Sequence, residues 1–204
     1  MLRTTSAALF LTSLTVLPGS SSVLQAQEST TRGFNVGLHA SGASLQVEDG
    51  DRHNAGGAGL ILGYGFNRSL QLFLQLDGAE FDVDDAEVNG TWAMGHADLG
   101  VRFHFANSLR TWVPYLQAAF SGRAVGVDNA VVQGQPETDV GFFGGAFTLG
   151  GGIMFYFNQT LAADLQLLWS GGQFTEVTVD DVTVSGLEID AESSRLNIGI
   201  SWWP

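Results

Sequence analysis

From Leu70 the chain reads LQLFLQLD, with Leu70, Leu72, Leu74 and Leu76 on one side of an extended strand and Gln71, Phe73, Gln75 and Asp77 on the other. Side chains alternate across a strand, so a sustained two-residue period dictates extended backbone with two chemically different faces. The period recurs along the chain. Ala97, Leu99, Val101, Phe103 and Phe105 oppose His96, Asp98, Gly100, Arg102 and His104. Leu161, Ala163, Leu165, Leu167 and Trp169 oppose Ala162, Asp164, Gln166, Leu168 and Ser170, and Leu196, Ile198, Ile200 and Trp202 oppose Arg195, Asn197, Gly199 and Ser201. The 27 glycines would be costly in helices, and no long segment has helical period. The class is all-β.

Two architectures fit such strands. A soluble sandwich or barrel turns the apolar face inward; a membrane barrel turns it toward lipid and keeps the polar face in the lumen. Eight segments are expected, at 33–45, 56–66, 70–83, 91–105, 112–127, 141–157, 161–179 and 192–203. Several exceed the soluble norm of about 5–6 residues and suit the tilted bilayer span of about 9–11. Connections at 67–69, 106–111 and 158–160 are short; those at 48–55, 84–90, 128–140 and 180–191 are longer and acidic. Short turns at one end and long loops at the other are the layout of a membrane barrel.

The short turns share one phrase: FNRSL from Phe66, FANSL from Phe105 and FNQTL from Phe157. Asn67, Asn107 and Asn158 are therefore read as turn residues, since Asn tolerates left-handed backbone and Ser or Thr bonds the local backbone. Aromatics fall in two groups, as expected of girdles at the two headgroup levels. Phe66, Phe105, Trp112, Phe155, Phe157, Trp202 and Trp203 lie at the short-turn end; Phe81, Trp92, Phe142, Phe143 and Phe174 lie toward the long loops.

The start reads as a cleavable signal peptide over residues 1–26: a basic opening, an apolar run at 7–17, and small Ala26 before Gln27. That run is short of the roughly 20 residues of a membrane helix. With no cysteine, thiol catalysis and thiolate metal sites are excluded. The eight basic residues are all Arg against 21 acids, a formal charge of −13, which makes nucleic acid and anionic surfaces poor partners.

With these features the chain resembles the small bacterial outer-membrane β-barrels of the OmpA and OmpX type. The resemblance covers residues 33–204 and rests on the signal peptide, eight amphipathic strands, Asn-containing turns, and the final RLNIGISWW, followed by Pro204. It implies an eight-stranded antiparallel up-and-down transmembrane β-barrel with both ends in the periplasm. Outer-membrane lipid, lipopolysaccharide and the insertion machinery are the expected partners, with a monomeric state and no cofactor expected. Eight strands enclose a lumen that side chains fill, so a water-filled pore is not expected.

On the polar faces, Asp77, Asp98, Arg102 and Arg123 are expected to form an ion-pair network, because unpaired buried charge costs several kcal/mol, roughly. Gln75, His96, His104, Gln117, Asp164 and Arg195 share that lumen. His39 with Ser41, and His96 with Asp98, have the spacing of paired side chains, but no third group or oxyanion donor accompanies them, so lipid-modifying catalysis is the lesser reading. His96 and His104 lack a matched third metal ligand. The acidic stretches 48–51, 82–87 and 179–192 lack calcium-loop spacing and read as solvated charge, with diffuse divalent bridging to lipopolysaccharide as the alternative. A narrow solute pore and a soluble barrel holding an apolar ligand complete the rival functions.

Overall fold

The structure, a computed structural model, describes residues 31–48, 52–81, 88–105, 111–132, 138–179 and 182–204. The signal-peptide segment and Asn107 lie outside the described residues. Eight antiparallel strands close into a barrel in chain order: β1 (Gly33–Val47), β2 (Arg52–Gly65), β3 (Leu70–Phe81), β4 (Val88–His104), β5 (Trp112–Val132), β6 (Thr138–Tyr156), β7 (Leu161–Val179) and β8 (Val182–Trp202). Closure is made by β8 on β1, from Val36↔Trp202 to Val47↔Ala191. A closed ring pairs every interior strand edge, which is the condition hydrocarbon imposes.

Burial runs opposite to that of a soluble protein. On β3 the pattern is strict: Leu70, Leu72, Leu74 and Leu76 are exposed, whereas Gln71 and Gln75 are completely buried. Phe34, Leu38, Leu99, Leu116, Phe120, Leu167 and Ile198 likewise face out, and Asp98, Arg102, His104 and Arg195 face in.

Both described short turns have one mechanism. Asn67 Oδ1 accepts from the backbone N–H of Ser69 (2.8 Å) and Leu70 (2.9 Å), and Asn158 Oδ1 from those of Thr160 (2.9 Å) and Leu161 (2.8 Å). The N–H groups of Phe66 and Phe157 then bond the carbonyls of Leu70 and Leu161, each at 2.9 Å. Left-handed backbone is not what selects Asn here. Among the described residues, only Glu48 is a non-glycine with positive φ, so Asn acts as a side-chain acceptor.

The strands at the long-loop end outrun the sequence expectation. Much of 180–191 and 128–140 is strand, not loop. β1 and β3 stop at Val47 and Phe81, but β4 through β8 continue as a ledge above that rim.

The inverted burial has a direct test. Leu74→Arg, in the middle of the apolar belt, should lower the unfolding free energy in lipid vesicles by about 2–4 kcal/mol, and Ser185→Arg, on the ledge, by no more than about 1. Denaturant titration of both variants reads the difference; equal small losses would contradict a lipid-embedded belt.

Candidate functional site

Among the described residues, three arginines and three aspartates are buried inside the barrel: Arg102, Arg123 and Arg195 with Asp77, Asp98 and Asp164. All but Arg123 fall into two groups. In the upper one, Arg195 bridges two carboxylates, pairing through Nη1 with Asp77 Oδ2 and through Nη2 with Asp98 Oδ2 (2.6 Å). Asp77 also bonds His39 Nε2 and accepts from Gln75 Nε2 (2.8 Å). In the lower one, Arg102 Nη1 faces Asp164 Oδ2 at 3.4 Å and Nε donates to Gln117 Oε1 at 3.0 Å. Its guanidinium lies 4.0 Å from the centre of the Tyr115 ring, whose hydroxyl donates to Asp164 (2.7 Å). Gln166 Nε2 donates to the same Gln117 oxygen (2.9 Å).

The expected four-residue network is thus redistributed. Asp98 and Arg102 lie four residues apart on one strand, about 13 Å, too far to pair. The partner of Asp98 comes from β8. Arg123 donates from Nη1 to the Ala191 carbonyl (3.0 Å) and stacks over Phe174 at 5.1 Å.

Glycine makes two of these contacts possible. His39, Gly59 and Asp77 stand in one cross-strand row on β1, β2 and β3. A Cβ on Gly59 would overlap both His39 Nε2 and Asp77 Oδ1, so the imidazole reaches across a strand that contributes no side chain. Gly152 on β6 does the same for Tyr115, whose hydroxyl a Cβ there would strike.

Chemically, the His and Ser side chains that the sequence paired are not joined among the described residues. Ser41 Oγ has no hydrogen-bond partner, and His39 is engaged with Asp77, so the two form no nucleophile–base pair. His96 Nε2 lies 3.2 Å from Ser193 Oγ, while His104 sits lower, edge-on to Tyr115 and Trp203. Among the described residues no group of three His, Cys, Asp or Glu could hold a metal ion. A hydroxyl ladder runs Ser121–Thr148–Ser170 at 2.5 and 2.6 Å and meets Arg195 at 3.3 Å.

Apolar clusters occupy both ends of this polar middle. At the short-turn end are Val113, Tyr115, Met154, Tyr156, Ala162 and Trp203; at the ledge end are Leu45, Phe81, Met94, Val125 and Phe174, with Trp92 and Phe142 packed on them. This corrects the girdle assignment. Phe66, Phe105, Trp112, Phe155, Phe157, Trp202 and Phe143 are exposed on the outer face, but Trp203, Phe81 and Phe174 are buried inside, and Trp92 and Phe142 line the interior. The physical reason is alternation itself: Trp203 follows Trp202, and Phe142 precedes Phe143, so each pair must divide between faces. Sequence reading also missed Tyr115, Thr148 and Ser193, which inward parity identifies on β5, β6 and β8.

Removing the shared cation should be severe. Arg195→Met leaves Asp77 and Asp98 without it and should lose about 3–5 kcal/mol of stability. Adding Asp77→Asn and Asp98→Asn should restore most of that loss, read as unfolding midpoints in detergent. A single variant as stable as the parent would refute the bridge.

Comparison with known proteins places this geometry. The family model for the outer membrane protein β-barrel domain matches residues 12–187. No curated protein matches the chain. Among solved structures, Neisserial surface protein A is similar with a TM-score of 0.63 at 16% identity, over 83% of this chain and 96% of that one. Ail, the attachment invasion locus protein of Yersinia pestis, gives 0.54 at 11% identity, over 84% and 99%. OprG, an outer membrane protein from Pseudomonas aeruginosa, gives 0.50 at 11%, over 87% and 97%. At these identities the likeness shows a shared fold.

Proposed function

Because the chain belongs to the outer membrane protein β-barrel domain family and resides in the bacterial outer membrane, we propose that it is a non-enzymatic surface-interaction protein whose working part is the ledge above the barrel. The observation that carries this reading is the unequal height of the strands. β4 to β8 extend past the points where β1 and β3 stop, and their ends are open to contact from outside the cell.

The lumen supports the same reading. Each of its three buried aspartates faces an arginine and its two ends are packed with apolar side chains, an arrangement suited to holding a barrel shut. Ail, an attachment invasion locus protein with the same fold, gives attachment as a precedent for this reading.

The test removes the ledge and keeps the barrel. Glu176 and Ser185 face each other across β7 and β8, so replacing residues 177–184 with Asn-Gly joins them through a two-residue hairpin turn. Cells displaying the parent chain should be retained on protein-coated surfaces several-fold better than cells displaying the shortened chain. Equal surface levels and retained heat-dependent gel migration control for folding. Equal retention would overturn the proposal, and steady conductance of the parent in planar bilayers would favour a pore instead.

A further inference from the structure

The ledge has an inner face, and its composition changes across the sheet. Cross-strand pairing sets two rows: Met94, Val125, Phe142, Val177 and Val184, and above them Trp92, Val127, Val140, Val179 and Val182. Every position is apolar. Phe142 packs into the luminal cluster and stands 6.2 Å from Phe174, so both rows continue the barrel interior upward. On β5 the upper row is covered, with Val127 3% exposed, but on β8 it is bare, with Val182 66% exposed and Val184 51%.

The bare end is also an unpaired edge. β1 accompanies β8 only as far as Ala191, with one further bond from the Glu48 N–H to the Asp190 carbonyl (2.9 Å). Among the described residues, nothing pairs with 182–189 on the side away from β7. At the foot of this edge is a recess of about 550 Å³ lined by Gln46, Glu48, Asp190, Ala191 and Glu192.

The chain itself offers little to cover these rows. At this end the connecting stretches are DGD at 49–51, DVDDAE at 82–87, QGQPE at 133–137 and DD at 180–181, in which Val83 is the one large aliphatic residue. A second copy is a poor occupant too. Between Arg123 and Arg195 the sequence has ten acids and no Arg, Lys or His, so two such edges repel, as charged edges commonly do to prevent self-pairing.

Resting on the surface-interaction reading above, we infer that the β8 edge over residues 182–190 takes an extended, cationic polypeptide segment of another protein as an added strand. Its backbone pairs with the free edge, alternate apolar side chains cover Val182 and Val184, and a Lys or Arg enters the recess between Glu48, Asp190 and Glu192. Strand addition of this kind draws affinity from main-chain hydrogen bonds and specificity from alternate side chains. The bulge opposite Phe174 and Glu176, where Gly186 has φ +90°, divides the edge into an upper apolar part and a lower acidic part.

The probe is a capped eight-residue peptide alternating Val and Lys, with a control in which Glu replaces each Lys. Amide hydrogen exchange on the full chain in detergent or vesicles should show slower exchange within residues 182–190 when the Val–Lys peptide is added. Anisotropy of labelled peptide should weaken about tenfold or more with Val182→Ser plus Val184→Ser, and similarly with Glu48→Gln, Asp190→Asn and Glu192→Gln together. Raised salt should weaken it as well. Equal binding of the Glu peptide, or binding without slowed exchange on β8, would overturn strand addition. Protection that grows with protein concentration in the absence of peptide would assign the edge to a second copy and overturn it too. If the shortened ledge abolishes cell retention while the peptide leaves β8 unprotected, the surface role stands and this partner class falls; unchanged retention removes the surface role itself.

Discussion

Arg195 held between Asp77 and Asp98 is the interaction on which the interior depends. The three side chains come from β8, β3 and β4, so the contact forms only after the ring has closed. A guanidinium is well suited to the task, since its planar set of donors can serve two carboxylates at once. With Arg102 on Asp164 below, the buried aspartates each face an arginine. Such pairs add little stability over an apolar core, yet any one partner left alone is costly. The network therefore penalises wrong closures more than it strengthens the right one.

Space for that network comes from omitted side chains. Eight strands leave a lumen barely wider than the side chains that fill it, and a ring with a bulky residue at every inward position would hold each residue to its own neighbours. Gly59 and Gly152 interrupt that crowding, so His39 meets Asp77 and Tyr115 meets Asp164 across an intervening strand. These links tie second-neighbour strands, which backbone pairing alone cannot do. They also occupy the middle of the lumen, with an apolar cluster at each end. A polar middle between two apolar ends is a poor route for ions, because hydrophobic constrictions favour dewetting.

Most of the fold was legible because lipid leaves a strong mark: Leu70 to Leu76 can alternate with Gln71, Gln75 and Asp77 over one strand only if the two faces meet different solvents. Inward parity likewise marked Asp77, Asp98, Arg102, Asp164 and Arg195 as luminal. Which acid meets which base was not legible, since the register between β8 and β1 and the tilt of the strands decide it. The girdle error was different in kind. The opposite faces of Trp202 and Trp203 follow from their adjacency, which aromatic character alone does not reveal. The ledge was hidden by its acids: Asp180-Asp181 reads as loop, although Val177 and Val179 before it mirror Val182 and Val184 after it, the pattern of a hairpin.

That hairpin explains why the acids and the valines occur together. A sheet standing above the bilayer has no lipid to cover its apolar face, and among the described residues no strand beyond Val47 covers its β8 edge. Exposed, flat and apolar edges invite pairing with other chains. Glu176, Glu188, Asp190 and Glu192, with no base between Arg123 and Arg195 to offset them, make pairing between identical copies unfavourable while leaving the edge available to a chain of opposite charge. Charge thus acts as a filter on an edge whose backbone would otherwise accept almost any extended strand. The same acids would be redundant on a ledge that only extended the barrel wall, because the luminal pairs below already hold that wall together.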